Sequence, residues 1–213
     1  MPLRNLQLKL LSISTMKSIT YWNRFIYMGL MKLSYQHKFE KRYEILGSLF
    51  ERNCSIVELC CGDCYLYLNY LKQKQIQYVG VDINNSFIAY ARKRGIDARN
   101  LNVISDEIPQ GDILLMHASL YQFIPHERGI LDKIIAAAKR EVIIAEPVIN
   151  RSHQENFMVS KISALLSNPG TGPVRERFNP ENFKALCGSY KEFSHFVGNF
   201  NLSNEMIAVF NIT

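Results

Sequence analysis

The sequence has no stretch of about 18 uninterrupted apolar residues, the length a membrane-spanning helix needs, so no span is expected. Its 11 glycines and 7 prolines are too few, in 213 residues, for a collagen-like or linker chain. A hydrophobic content of 47% is too high for intrinsic disorder. Neither an internal repeat nor a low-complexity linker divides the chain. The first 18 residues carry basic groups and Leu8, Leu10, Leu11 and Ile13. They lack the continuous apolar region of about 7–15 residues and the small-residue cleavage site of a secretory signal. The five cysteines (Cys54, Cys60, Cys61, Cys64, Cys187) are odd in number and clustered, unlike a secreted disulfide framework. The cytoplasm is the expected location. Met16 offers an alternative start, which would leave residues 1–15 dispensable or disordered.

What is present points to one α/β domain of ordinary size. The net charge of +6 is not spread evenly: residues 1–45 hold eight Lys/Arg against two acids, and the rest holds 17 of each sign. Such a segment reads as a solvated basic helical face, or as a contact for an anionic substrate, a lipid surface or nucleic acid. Ile19, Trp22, Ile26, Leu30 and Leu33 recur at helical spacing over 17–34, and Phe39, Tyr43, Leu46, Leu49 and Phe50 over 37–52. These helices form an N-terminal helical cap, residues 1–52. From residue 55 the period shortens. Strands are expected at 55–59, 77–83, 97–103, 113–118 and 142–146, with helices at 64–73, 84–94 and 127–139 between them. That alternation implies a doubly wound, mostly parallel sheet with helices on both faces. A helix at 150–167, a Gly/Pro-rich loop at 168–179, a helix at 180–187 and strands at 193–198 and 206–212 complete the domain, residues 53–213. The 150–180 stretch is expected to lie over the site.

An open sheet of this type binds ligands at the carboxyl ends of its strands. The first strand and turn read Ile56-Val57-Glu58-Leu59-Cys60-Cys61-Gly62-Asp63-Cys64, and the second strand ends in Asp82-Ile83. Asp82 stands 20 residues beyond Gly62, a usual distance for a carboxylate that bonds both hydroxyls of a nucleoside ribose. Cys61-x-x-Cys64 also has metal-ligand spacing, but no second Cys/His pair follows, so no metal is expected.

Here the chain resembles the class I S-adenosylmethionine-dependent methyltransferases. Glu58 matches the acid of their first-strand motif and Gly62 the central glycine of G-x-G-x-G; Cys60 and Cys64 stand where the outer glycines usually lie. Asp82 matches the ribose-binding acid, Asn102-Val103 the third-strand end near the adenine, and His117-Ala118 the fourth-strand end near the methionine side. Glu146-Pro147 ends the fifth strand as in many members, and the last two strands fit that family's antiparallel edge. The resemblance covers residues 40–213. It implies a seven-stranded sheet with a C-terminal antiparallel strand pair and S-adenosyl-L-methionine as cofactor, held by Glu58, Cys60, Gly62, Asp82, Ile83, Asn102, Val103, His117 and Ala118. Tyr21 and Arg42 of the cap are added as contacts, Arg42 for the cofactor carboxylate. Its competing reading is an exposed helix charge near Glu40 or Glu44.

Methyl transfer to O, N or S needs orientation first and a base only for weakly acidic acceptors. His117, Tyr121 and Glu146 are the catalytic candidates, against the plainer readings of a buried imidazole, a packing aromatic and a turn acid. No N-P-P-Y-type motif and no aromatic-interleaved basic stripe favour a nucleic-acid substrate. A small-molecule substrate is expected, with a monomer or homodimer as the working unit. The alternatives are a methyltransferase docking on a lipid surface or macromolecule through its basic cap, and a non-catalytic domain that keeps the fold.

Overall fold

The structure is a computed structural model and describes residues 38–148, 177–198 and 205–212, together with residues 29 and 32. The described residues form one sheet of seven strands: β1 (Ser55–Leu59), β2 (Gln77–Asp82), β3 (Ala98–Asn100), β4 (Gly111–His117), β5 (Ala138–Pro147), β6 (Phe193–Val197) and β7 (Glu205–Asn211). Their order is β3-β2-β1-β4-β5-β7-β6. The pairs from β3 through β5 are parallel, while β7 runs antiparallel to both β5 and β6. This is the doubly wound sheet with a C-terminal antiparallel pair that the sequence implies.

Among the described residues, the α-helices with defined bounds are α1 (Lys38–Ser48), α2 (Asn85–Arg92), α3 (Glu127–Ala137) and α4 (Pro180–Gly188). The central strands are near-continuous apolar runs because both of their faces are covered. Val57, Leu59, Leu114, Met116 and Ile144 meet Ile130 and Leu131 of α3 and Phe183 of α4 on one face. Ile56, Ile113, Leu115 and Ile143 meet Leu46 of α1 and Ile88 of α2 on the other. Local chemistry sets the helix starts. The Asn84 side chain accepts from the Ser86 N–H before α2. Asn179 and Asn182 cap each other reciprocally before α4, with Pro180 in its first turn.

Three elements differ from expectation. β3 stops at Asn100 instead of running to 103, because Asn102 forms a side-chain turn. Its Oδ1 accepts from Ile104 N–H at 3.0 Å, and its own N–H donates to Asp106 Oδ2 at 2.9 Å, so these side chains compete with the ladder for the backbone. β5 begins at Ala138, directly from α3, four residues before its apolar run. The helix expected at 64–73 widens into a π-turn over Tyr67–Leu71 and tightens over Lys72–Lys74, ending at left-handed Gln75. The helices expected at 17–34 and 150–167 lie outside the described residues, apart from Gly29 and Lys32, both helical and exposed.

Candidate active site

Strands β1 to β5 are parallel, so their carboxyl ends share one edge, and strand order reverses between β1 and β4. A crevice opens at such a point. The turn leaving β1 places Cys60, Gly62 and Cys64 at φ of 55°, 56° and 58°. Glycine adopts this left-handed region at no steric cost, whereas a residue with a Cβ loses about 1–2 kcal/mol. The three positions where the sequence pattern calls for glycine are thus the three that need one, and cysteine tolerates two of them at some strain. Ties to β2 hold the turn. Cys61 N–H donates to Val81 O at 3.0 Å, and Gly62 N–H donates to Asp82 Oδ2 at 2.9 Å. A Cβ added at Gly62 would meet nothing within 4 Å among the described residues, so the backbone there is open to close approach on their side.

Asp82 is a staple. Its second oxygen accepts from Asn84 N–H at 2.7 Å. Burial pushes its carboxyl above the ordinary value, and the Asn84 and Gly62 N–H groups pull it back. Each oxygen retains further lone-pair capacity. Asn100 braces the same corner through Nδ2, 3.2 Å from Asp82 O and 2.9 Å from Ile83 O. Ile83 and Ile104 are the large hydrophobic residues left exposed among the described residues, at 51% and 58%, after the ends of β2 and β3. Val103, expected at the site, is instead in the core at 4% exposure; its neighbour Ile104 is the outward residue. Asn102 spends its side-chain oxygen on the turn described above.

Glu58 faces inward. Its Oε2 accepts from the Tyr78 hydroxyl at 2.5 Å, and burial pushes its carboxyl up to about 8. Gly80, which no motif singles out, makes this packing feasible. A Cβ there would lie 2.9 Å from the sulfurs of both Cys61 and Cys64 and 3.1 Å from the Tyr78 hydroxyl.

Across the reversal, β4 ends in His117, followed by Ala118 at φ 52°. Glu146, fully buried at the end of β5, holds the turn beyond. Its Oε1 accepts from Ser119 N–H at 2.8 Å and Leu120 N–H at 2.5 Å. Oε2 has no partner among the described residues, and burial pushes the carboxyl up to about 8. Arg42 is fully buried, which corrects the reading of it as an exposed helix charge; it is Lys41 that pairs with Glu44, at 3.1 Å. Arg42 Nε donates to Glu205 Oε1 at 2.8 Å, and its Nη2 contacts the same oxygen. His117 Nε2 lies 2.8 Å from Glu205 Oε1 and 2.9 Å from Arg42 Nη2. Burial acts to raise the Glu205 carboxyl, but Arg42 and His117 together hold it at about 2. Burial pushes the His117 imidazole below its ordinary value, opposed by Glu205. The Tyr43 ring meets His117 edge-on at 5.0 Å.

Glu205 was not anticipated from the sequence. Its one signal is an isolated acid at the head of the apolar run Met206–Phe210. Tyr121 is buried beneath the Arg177 guanidinium, 3.7 Å from the ring centroid. A cavity of about 360 Å³ lies between the starts of α3 and α4, lined by Ile124, Glu127, Arg128, Arg177, Phe178 and Leu186. Tyr21 lies outside the described residues. No group of three or more His, Cys, Asp or Glu suited to a metal occurs among the described residues.

No protein-family model matches the chain, and neither does any curated protein sequence. Solved structures do. Human N-acetylserotonin methyltransferase in complex with S-adenosylmethionine is similar with a TM-score of 0.62 and 12% identity over 90% of this chain. Magnesium protoporphyrin IX methyltransferase from Synechocystis, bound to S-adenosylhomocysteine, has a TM-score of 0.60 and 12% identity, covering 87% of this chain and 86% of its own. A TehB-like S-adenosylmethionine-dependent methyltransferase from Corynebacterium glutamicum has a TM-score of 0.54 and 17% identity, covering 80% of this chain and 86% of its own. This chain spans 57% of the length of the human enzyme. With the strand order above, these likenesses show the class I methyltransferase fold.

Proposed function

We propose, from that fold, that this chain binds S-adenosyl-L-methionine and transfers its methyl group to a hydroxyl, amine or thiol of a small molecule. The observation that carries the reading is the left-handed turn at Cys60, Gly62 and Cys64, tied by the Gly62 N–H to Asp82. The residues present suit the cofactor. Gly62 is open to a ligand approaching the backbone. Asp82 keeps acceptor capacity for two ribose hydroxyls. Ile83 and Ile104 offer exposed apolar surface to a planar base. The bound cofactor supplies a sulfonium-activated methyl carbon, which leaves orientation and exclusion of water to the protein.

The residues across the reversal are assigned to the acceptor. We assign a proton to Nε2 of neutral His117, donated in a hydrogen bond to ionised Glu205 at 2.8 Å, with the neighbouring Arg42 Nη2 donating to the same carboxylate oxygen. Nδ1 then carries the ring's lone pair and is the proton acceptor for a hydroxyl substrate. Arg42 keeps Glu205 charged and so acts through it, rather than pairing with the cofactor carboxylate as its sequence position suggests. Glu146 fixes the turn carrying Ser119 to Tyr121. The cavity beside Arg177 and Phe178 mixes apolar walls (Ile124, Phe178, Leu186) with the charged Glu127, Arg128 and Arg177, which suits a small acceptor that carries polar groups. Similar folds act on small molecules: one is a mitomycin 7-O-methyltransferase, and another is an O-methyltransferase family 2 protein in complex with apigenin.

Calorimetry with S-adenosylhomocysteine tests the reading. Micromolar affinity is expected, about −8 kcal/mol. The absence of heat at hundred-micromolar ligand, with the protein folded, would refute it.

A further inference from the structure

Cys61 and Cys64 lie in the turn proposed to meet the cofactor, but their side chains have no part in the proposed transfer, and their thiols lie side by side. The two sulfurs are 3.6 Å apart, both packed over Gly80 of β2. Cys64 N–H donates to Cys61 O at 3.0 Å, which closes a four-residue turn. Such a turn holds its end Cα atoms within about 7 Å, and disulfides span Cα distances of about 4.4–6.8 Å. All five cysteines are thiols in this structure. The pair is a two-sulfur site, without the further His, Cys, Asp or Glu, among the described residues, that would make it a metal centre.

We propose that Cys61 and Cys64 are a modification site: they form a reversible intramolecular disulfide across the turn that carries Gly62. The oxidant is a low-molecular-weight disulfide such as oxidised glutathione. Cys61 attacks first, being 7% exposed where Cys64 is fully buried. Its thiolate bonds to one glutathione sulfur, the glutathione S–S bond breaks, and the released thiolate takes up a proton. The Cys64 thiolate then attacks the Cys61 sulfur of the mixed disulfide and expels the second glutathione, which is protonated in turn. Two protein thiols give up two protons and two electrons, and one oxidised glutathione becomes two reduced ones. The hydrogen bond its S–H gives to Cys64 and burial both raise the Cys61 thiol, so the reaction is slow at neutral pH and faster in alkali.

Bond formation draws the sulfurs from 3.6 Å to about 2.05 Å. The turn between them holds Gly62, whose N–H is fixed on Asp82. Closing the bridge shifts that N–H and lowers affinity for the cofactor at least tenfold. This consequence rests on the proposed function; the bond itself does not.

The experiment equilibrates the full chain with oxidised or reduced glutathione, quenches in acid, alkylates the remaining thiols and measures intact mass. The expected result is loss of two hydrogens and two fewer alkylated cysteines in the oxidised sample. Cys54→Ser and Cys187→Ser should retain this change. Cys61→Ser and Cys64→Ser should each abolish it, with Cys61→Ala standing in if Cys64→Ser fails to fold. S-adenosylhomocysteine should bind the oxidised form at least tenfold more weakly. A bridge that persists in both Cys61→Ser and Cys64→Ser, or no bridge in the unaltered chain, would overturn the proposal. Equal affinity in the two forms would overturn the coupling to the turn. If the reduced chain binds no S-adenosylhomocysteine, the functional reading fails while the mass result still decides the disulfide.

Discussion

The two sides of the strand-order reversal are built by different means. At the ends of β1 to β3, short polar side chains bond to backbone groups close by: Asp82 to the Gly62 and Asn84 N–H groups, Asn102 to Ile104 N–H. At the ends of β4, β5 and β7, charged side chains meet over long sequence separations. Arg42 and Glu205 are 163 residues apart, and His117 and Glu205 are 88 apart. The first arrangement fixes a backbone surface, which the proposed function assigns to the cofactor. The second buries ionised groups whose charges depend on one another, which suits a place where protons are held.

The largest break in this comparison should come from the second side. Glu205→Ala removes the carboxylate from a fully buried guanidinium, and breaking a buried pair in this way costs about 3–5 kcal/mol. Denaturant unfolding should show that loss. A change below about 1 kcal/mol would mean that solvent reaches Arg42.

On the first side, Asp82→Ala deprives the N–H groups of Gly62 and Asn84 of their acceptor. A loss of about 1–3 kcal/mol in stability is expected. S-adenosylhomocysteine should also bind about ten- to a hundredfold more weakly, since bonds to a charged group are worth about 1.5–3 kcal/mol. Full stability with full affinity would leave Asp82 with neither role.

The pH dependence separates Glu58 from Glu205. Glu58, pushed up to about 8 from 4.5, keeps a proton in the folded protein that the unfolded chain has released. Its contribution to stability is complete below the unfolded value and disappears as pH rises through about 8. Glu146 behaves likewise. Glu58→Gln should therefore flatten the fall in stability as pH rises from about 4.5 to about 8, read from urea midpoints across that window. Glu205, held at about 2, contributes stability above its unfolded value of 4.5 that is lost as pH falls through about 2. Glu205→Gln should flatten the loss of stability below pH 4.5 and leave the fall between 4.5 and about 8 unchanged.

The smallest effect is expected within the turn. Cys60→Gly removes a Cβ from a left-handed position, so thermal unfolding should show stability unchanged or raised by up to about 1 kcal/mol. Cys64→Gly relieves the same strain but empties a fully buried position, so it should destabilise.

This contrast also explains what the sequence could and could not disclose. The central sheet was legible because its buried strands are continuous apolar runs separated by helices; at the edge, β7 is such a run, while β6 (FSHFV) shows only aromatic and apolar residues broken by Ser194 and His195. Gly62, Asp82 and Ile83 were legible because a turn and a strand end are local features with local residue requirements. The pairing of Arg42 with Glu205 was not. Helical spacing marks position 42 as neither clearly exposed nor clearly apolar, and no periodicity reports which β7 residue will lie beneath it. Gly80 escaped notice for a related reason: its need for a missing side chain comes from Cys61 and Cys64, which reach it only after the strands pair. The early end of β3 followed from a competition between Asn102 and the ladder that propensity does not rank.

Amide chemical-shift mapping of the full chain titrated with S-adenosylhomocysteine tests the division between the two sides most directly. The largest shifts should fall on Gly62, Ile83, Asn84 and Ile104, with residues lining the cavity between α3 and α4, such as Arg128 and Leu186, little changed. Shifts centred on that cavity, or none at saturating ligand, would contradict the assignment of the β1 to β3 ends to the cofactor.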